Sequence, residues 1–151
     1  MRFSANRLGI ARKRRMLNKK GFAELLGVAQ HTVVRWEKGD TDTPSPENVE
    51  SLASLLGFPA EFFYQPDADE PVAASFRSLT SMSAAYRDAA LAAGAIGFLV
   101  SDWIEERFDL PSIQLPDLRL YDPELAARVL REEWGLGEKP VSNMLHLLES
   151  K

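Results

Sequence analysis

The sequence predicts an all-α protein, with a five-helix front followed by a smaller helical region. Three observations carry this. Apolar residues recur at three- and four-residue steps along most of the chain, the period of a helix with one buried face. Helix ends are written into the sequence: Ser4, Asn18 and Asp122 can cap, Pro46 and Pro123 suit a first turn, and Gly27, Gly39 and Gly57 follow the last turns. No run alternates apolar and polar residues above background, so no strand is expected.

Each element follows from this punctuation. The first helix is expected from Ser4 to about Leu17. The second, KKGFAELLG after Asn18, stops at Gly27. Val28 and Ala29 lead to a third, from about Gln30 to Lys38, which Gly39 ends. The loop DTDTPSP, broken by two prolines, precedes a fourth helix, PENVESLASLLG. A short PAEFFYQ turn completes a first domain expected at residues 1–65. Residues 66–73, PDADEPVA, are acidic, bounded by prolines and poor in large side chains, so a linker is expected over 66–74. Residues 75–151 are expected as a separate helical region. It starts with a long helix from about Met82 to Phe108 and a loop marked by Pro111 and Pro116. A helix PELAARVLREEWG, capped by Asp122, then breaks at GLGEKP before a last helix, VSNMLHLLES.

Composition narrows the function classes. The 151 residues include no cysteine, so there is no disulfide or thiolate metal site, and a reducing cytoplasm is expected. No signal-like apolar run follows Met1. The longest apolar run, residues 89–100, falls short of the roughly 18 residues that read as a membrane span. His31 and His146 are the only histidines, and no His-Glu-x-x-His is present. Glu105-Glu106 and Glu132-Glu133 read as solvated helix faces. No Ser/His/Asp set or phosphate-cradling glycine loop stands out. Neither catalysis, a metal nor a cofactor is expected within these residues.

The net charge of −4 hides an asymmetry. Residues 1–40 carry ten Lys/Arg against three acids, whereas residues 41–151 carry eight against nineteen. A basic front on an acidic body points to a polyanion-binding module. Within that front, helices two and three meet at a tight turn on Gly27, the spacing of a helix–turn–helix. Such a pair lays its second helix in the major groove and reads base edges with that helix's first residues. Gln30, His31, Val34 and Arg35 share one side of the third helix. Val33 and Trp36 share the other, where they can pack on Phe22, Leu25 and Leu26.

The stretch RKRRMLNKKGFAELLGVAQHTVVRWEKG resembles the helix–turn–helix of the Xre family, related to phage lambda-type repressors. The matched features are an Arg before helix two, Ala23, Gly27-Val28, Thr32-Val33 and Trp36-Glu37-x-Gly39. The likeness covers about residues 4–65. It implies a five-helix domain that binds double-stranded DNA as a homodimer on near-palindromic sites. It also implies base contacts from Gln30, His31 and Arg35, with Val34 on the same face. Gln suits adenine and Arg suits guanine, each bidentately. Thr32 and Lys19 would approach phosphates, with Lys20 and Lys38 adding charge nearby. Glu37 would pair with Arg12 to hold the third helix on the first. Two positions depart from the pattern. Ala29 stands where a Ser or Thr cap is usual, and Asp40 and Asp42 stand where relatives often carry Lys or Arg.

A second likeness lies further on. ASFRSL and AARVLREEWGLGEKPVSNMLHLLES, within residues 75–150, are similar to the segment preceding the catalytic part of ImmA/IrrE-type proteins, which join an Xre-type domain to a zinc peptidase-like domain. The zinc motif itself is absent, so the chain is expected to be the front of a longer protein. The long helix is rich in small residues: Ala89, Ala93 and Gly97 are four apart, as are Ala90 and Gly94. Larger groups, Met82, Tyr86, Ile96, Val100 and Trp103, recur at helical steps. A face so broad is expected to be buried in a second core or against a second subunit. The expected function is a sequence-specific transcription regulator, a repressor. Two alternatives stand beside it: the front of a DNA-binding zinc peptidase, and an antitoxin-like module whose acidic region binds a partner protein.

Overall fold

The computed structural model describes residues 2–39, 42–71, 82–110 and 115–151. Asp40, Pro111, residues 72–73 of the expected linker and the ASFRSL stretch lie outside the described residues. Among the described residues all regular structure is helical, as expected. The chain divides into two compact units, residues 1–108 and 109–151.

The first unit holds α1 (Ala5–Arg14), α2 (Lys19–Leu26), α3 (Gln30–Lys38), α4 (Pro46–Leu56), a 3-10 turn (Ala60–Tyr64) and α5 (Ala84–Glu105). The expected caps Ser4 and Asn18 form, accepting from the Arg7 and Gly21 N–H groups, and Ser45 adds a cap to α4 by accepting from the Asn48 N–H. The first helix ends earlier than expected. Met16 adopts φ 59°, the Met16 N–H bonds the Lys13 carbonyl at 2.8 Å, and the Leu17 N–H bonds Arg12 at 3.2 Å. This is the helix stop that glycine usually makes. Gly27 makes it for α2, where Gly27 N–H bonds Glu24 and Val28 N–H bonds Ala23. A methionine in that role leaves no sign in the sequence.

The core gathers Leu8 and Ala11 of α1, Phe22 and Ala23 of α2, Val33 and Trp36 of α3, Val49, Leu52 and Leu56 of α4, and Phe63. Every helix of the front contributes one stripe. Leu25 corrects the expected α2–α3 packing. It is 60% exposed, whereas Leu26 and Val28 reach the core instead.

The expected boundary at residues 66–74 also differs from the structure. Residues 66–71 are strapped to α1 rather than free. Ser4 Oγ donates to Asp67 at 2.6 Å, Arg7 Nε donates to the Pro66 carbonyl at 2.5 Å, and the Ala68 N–H donates to Asn6 Oδ1 at 2.8 Å. Lys13 pairs with Glu70 at 3.1 Å. Burial lowers the Arg7 pKa from its ordinary value, with Asp67 acting in the opposite sense. On this side α5 packs against α1. Ile10 and Ala68 are buried with Ala92 and Ala95, while Ile96 and Leu99 close the cluster. A β-carbon on Gly94 would come within 2.8 Å of the Pro71 ring, so only glycine admits the strap there. The small side chains of Ala92 and Ala95 let α5 approach α1 closely, and the long helix belongs with the basic front.

The second unit contains α6 (Pro123–Glu133) and α7 (Met144–Glu149). Asp122 accepts from the Glu124 and Leu125 N–H groups, and Pro123 opens α6 as expected. Arg131 Nε donates to the Gly137 carbonyl at 2.8 Å and its Nη2 donates to Lys139, tying down the turn after α6. The last helix begins three residues later than expected, where Asn143 accepts from the His146 N–H. No described residue of this unit is buried. No helix among the described residues is long and apolar enough to cross a membrane.

Candidate nucleic-acid interface

The charged candidates converge on α3, and what holds α3 decides what it can do. Gly27, at φ 70°, turns the chain between α2 and α3 in a conformation that a β-carbon disfavours. Gly39, at φ 72°, stops α3 in the same way. Between these two stops Val33 and Trp36 face the core, at 0% and 3% exposure.

The expected Arg12–Glu37 pair forms. Arg12 Nε lies 2.5 Å from Glu37 Oε1, and Nη2 lies 3.0 Å from Oε2. The remaining guanidinium nitrogen, Nη1, donates to the Leu17 carbonyl at 2.5 Å. The two side chains retain only 9% and 7% exposure. A pair this shielded is costly to break, because Arg12 without Glu37 would be a buried charge with no counter-ion among the described residues. Lys19 joins it at 3.1 Å from Glu37 Oε2. One carboxylate therefore ties α3 to α1 and to the start of α2. Lys19, expected at a phosphate, has an ion-pair partner inside the protein as well.

The opposite arc of α3 faces outward. Gln30, His31, Arg35 and Lys38 are exposed, and Val34 is half-buried. All five fall on one side at helical spacing. Thr32 sits half-buried at the flank, its N–H bonded to the Ala29 carbonyl at 2.9 Å. Lys20 is exposed on α2, with Glu24 at 3.9 Å. Ala29 has the extended backbone of a cap, φ −72° and ψ 144°, but supplies no side-chain acceptor. α3 is the one α-helix of the described chain without a side-chain cap.

Sequence reasoning missed one member of this group. Arg35 Nε lies 3.1 Å from Asp42 Oδ2 across the loop after Gly39. Asp42 was legible only as an acid near phosphates. Its opposite charge seven residues past Arg35 was the available signal, but a loop with two prolines hides the distance it spans.

An outward polar and basic arc on the second of two helices joined at a glycine turn defines a helix–turn–helix. Residues 8–63 match the family model described as Helix-turn-helix. The match runs from α1 through the 3-10 turn, and this part of the chain is a DNA-binding helix–turn–helix domain of the Xre type. It stops short of residues 75–150, where the ImmA/IrrE likeness was drawn. No curated protein and no solved structure matches the chain.

Proposed function

We propose that the protein is a sequence-specific transcription regulator, a repressor, that reads duplex DNA in the major groove with the leading end of α3. The observation that carries this reading is the pairing of a locked inner face with an outward arc. Trp36 and Glu37 anchor α3, and Gln30, His31, Val34 and Arg35 point away from the anchor. In this reading those four residues meet base edges, and Lys19, Lys20, Thr32 and Lys38 approach phosphates. No cofactor is needed. Repression follows from occupancy of the site alone.

The regulator acts as a homodimer in this reading, with α5 as the contact. Tyr86, Ala90, Ala93, Gly97, Val100 and Ile104 alternate by four and three residues, the step of a helix–helix seam. The strip is about 27 Å long, lacks charge, and includes Tyr86 at 61% and Val100 at 53% exposure. A β-carbon on Gly97 would meet no neighbour, so a second backbone can come close. Arg87 and Asp88 lie near one end of α5 and cancel, whereas Asp102, Glu105 and Glu106 outnumber Arg107 near the other. Antiparallel pairing with a second copy keeps the two acidic ends apart, and parallel pairing sets them together.

Site selection on random duplex DNA tests the reading, followed by titration of the winner against a scrambled duplex. Arg35→Ala is expected to cost about 1–3 kcal/mol and to relax preference at one base pair, while Lys19→Ala weakens all sequences and flattens the salt dependence. Equal losses for Arg35→Ala on selected and scrambled DNA would contradict the base-reading role. Light scattering of the same complex should count two chains per selected site. One chain per site would remove the dimer.

A further inference from the structure

We infer that Asp42 is a specificity-determining positioning residue, which holds the Arg35 guanidinium for end-on contact with a base and away from phosphates. The inference rests on the base-reading role proposed for Arg35. Asp42 engages Arg35 through Nε, at 3.1 Å. That nitrogen lies on the flank of the guanidinium. Among the described residues no hydrogen bond engages the two terminal Nη groups, and they form the fork that meets the O6 and N7 acceptors of guanine in parallel. A grip on Nη would have blocked that fork.

The carboxylate is itself committed to this task. Asp42 Oδ2 is buried and has no hydrogen-bond partner, and the approach to Arg35 Nε is an ion pair rather than an aligned hydrogen bond. Among the described residues Arg35 is its one ion-pair partner, while the rest of the side chain keeps 40% exposure. Arg35, at 54% side-chain exposure, is otherwise a long side chain in solvent. Holding it in the free protein lowers the ordering cost of binding, which is about 0.5–1.5 kcal/mol for each such side chain.

The same pair disfavours the wrong contact. If Arg35 swings to a phosphate, it abandons Asp42 and leaves a carboxylate near the DNA backbone. End-on base contact keeps the pair intact. Asp42 thus acts by differential cost, weakening binding to any duplex while sparing the correct one. This gives physical meaning to an acid at a position where a basic residue would raise affinity for all DNA.

The test compares the full chain with its Asp42→Ala and Asp42→Asn variants and with Arg35→Ala, on the selected duplex and on a scrambled one, over a range of salt. Both Asp42 variants are expected to bind scrambled DNA more tightly, with a salt slope steeper by about one phosphate contact. Their ratio of selected to scrambled affinity should fall about ten-fold, with the lost preference confined to the base pair that Arg35→Ala relaxes. Full preference retained in both Asp42 variants, or loss of folding in both by circular dichroism, would overturn the inference. In the first case Arg35→Ala would still relax its base pair if the base-reading role holds. Failure of the unaltered protein to select any sequence would instead remove the proposed function.

Discussion

α3 and α6 are nearly equal in length, nine and eleven residues, and opposite in how they are held. α6 has the better local signals. Asp122 caps two N–H groups, and Pro123 sits in the first turn. α3 has no side-chain cap at all. Yet α3 buries Val33 and Trp36, whereas α6 buries no residue. Isolated helices of this length are marginal in water, so packing rather than propensity supplies most helix stability in proteins. Caps decide where a helix starts, and burial decides whether it persists. In the front of the chain tertiary contacts hold the recognition helix. In residues 109–151 hydrogen bonds close in sequence carry the load.

The widest test of that contrast is truncation in each region. Phe22, fully buried among α1, α3 and α4 side chains, should cost about 3–5 kcal/mol when changed to Ala. Leu148, 51% exposed on α7, should change stability by no more than about 0.5 kcal/mol on the same substitution. Urea denaturation followed by far-ultraviolet circular dichroism measures both. Comparable losses would mean that residues 109–151 rest on a core of their own, and the contrast between α3 and α6 would fail.

The same contrast explains what could be read from the sequence. Helix starts were legible because Ser4, Asn18, Pro46 and Asp122 announce themselves. The Arg12–Glu37 pair was legible through the family likeness, and the outward arc of α3 through its spacing. Three things were hidden. Met16 ends α1 in a glycine conformation without being glycine. Leu25 fits the apolar stripe of α2 but lies one position off the line that Phe22, Ala23 and Leu26 present to the core. Residues 66–71 have linker composition, yet their acids and carbonyls meet Ser4, Arg7 and Lys13 of α1. Non-local partners of that kind leave no period in the sequence. The fold class was therefore fully legible, and so was the outward placement of Gln30, His31, Arg35 and Lys38 on α3, whereas the Asp42 partner of Arg35 was not. The division into units was not, since it depends on which surface the small residues of α5 meet.

A middle-sized effect is expected where caps do most of the holding. Asp122→Ala removes the acceptor of two N–H groups and should cost α6 about 1–2 kcal/mol, the upper part of the range for such losses. Hydrogen exchange would register it as faster exchange confined to α6 amides, with α3 unchanged. Unchanged protection in α6 would show that burial holds it after all.

The smallest effect sharpens the comparison from the other side. Ala29 already has the backbone of a cap, so Ala29→Ser would add an acceptor for the Thr32 N–H without moving the chain. That N–H already reaches the Ala29 carbonyl at 2.9 Å, so the gain in stability should be modest, about 0.5 kcal/mol. Binding should move the other way. Uncapped N–H groups at a helix start attract phosphate, and a serine oxygen would compete with DNA for them. The expected outcome is a slightly higher melting temperature together with weaker affinity for every duplex. If affinity rose along with stability, the open start of α3 would have no part in phosphate contact, and its missing cap would be a simple loss of stability in a helix that packing can hold without one.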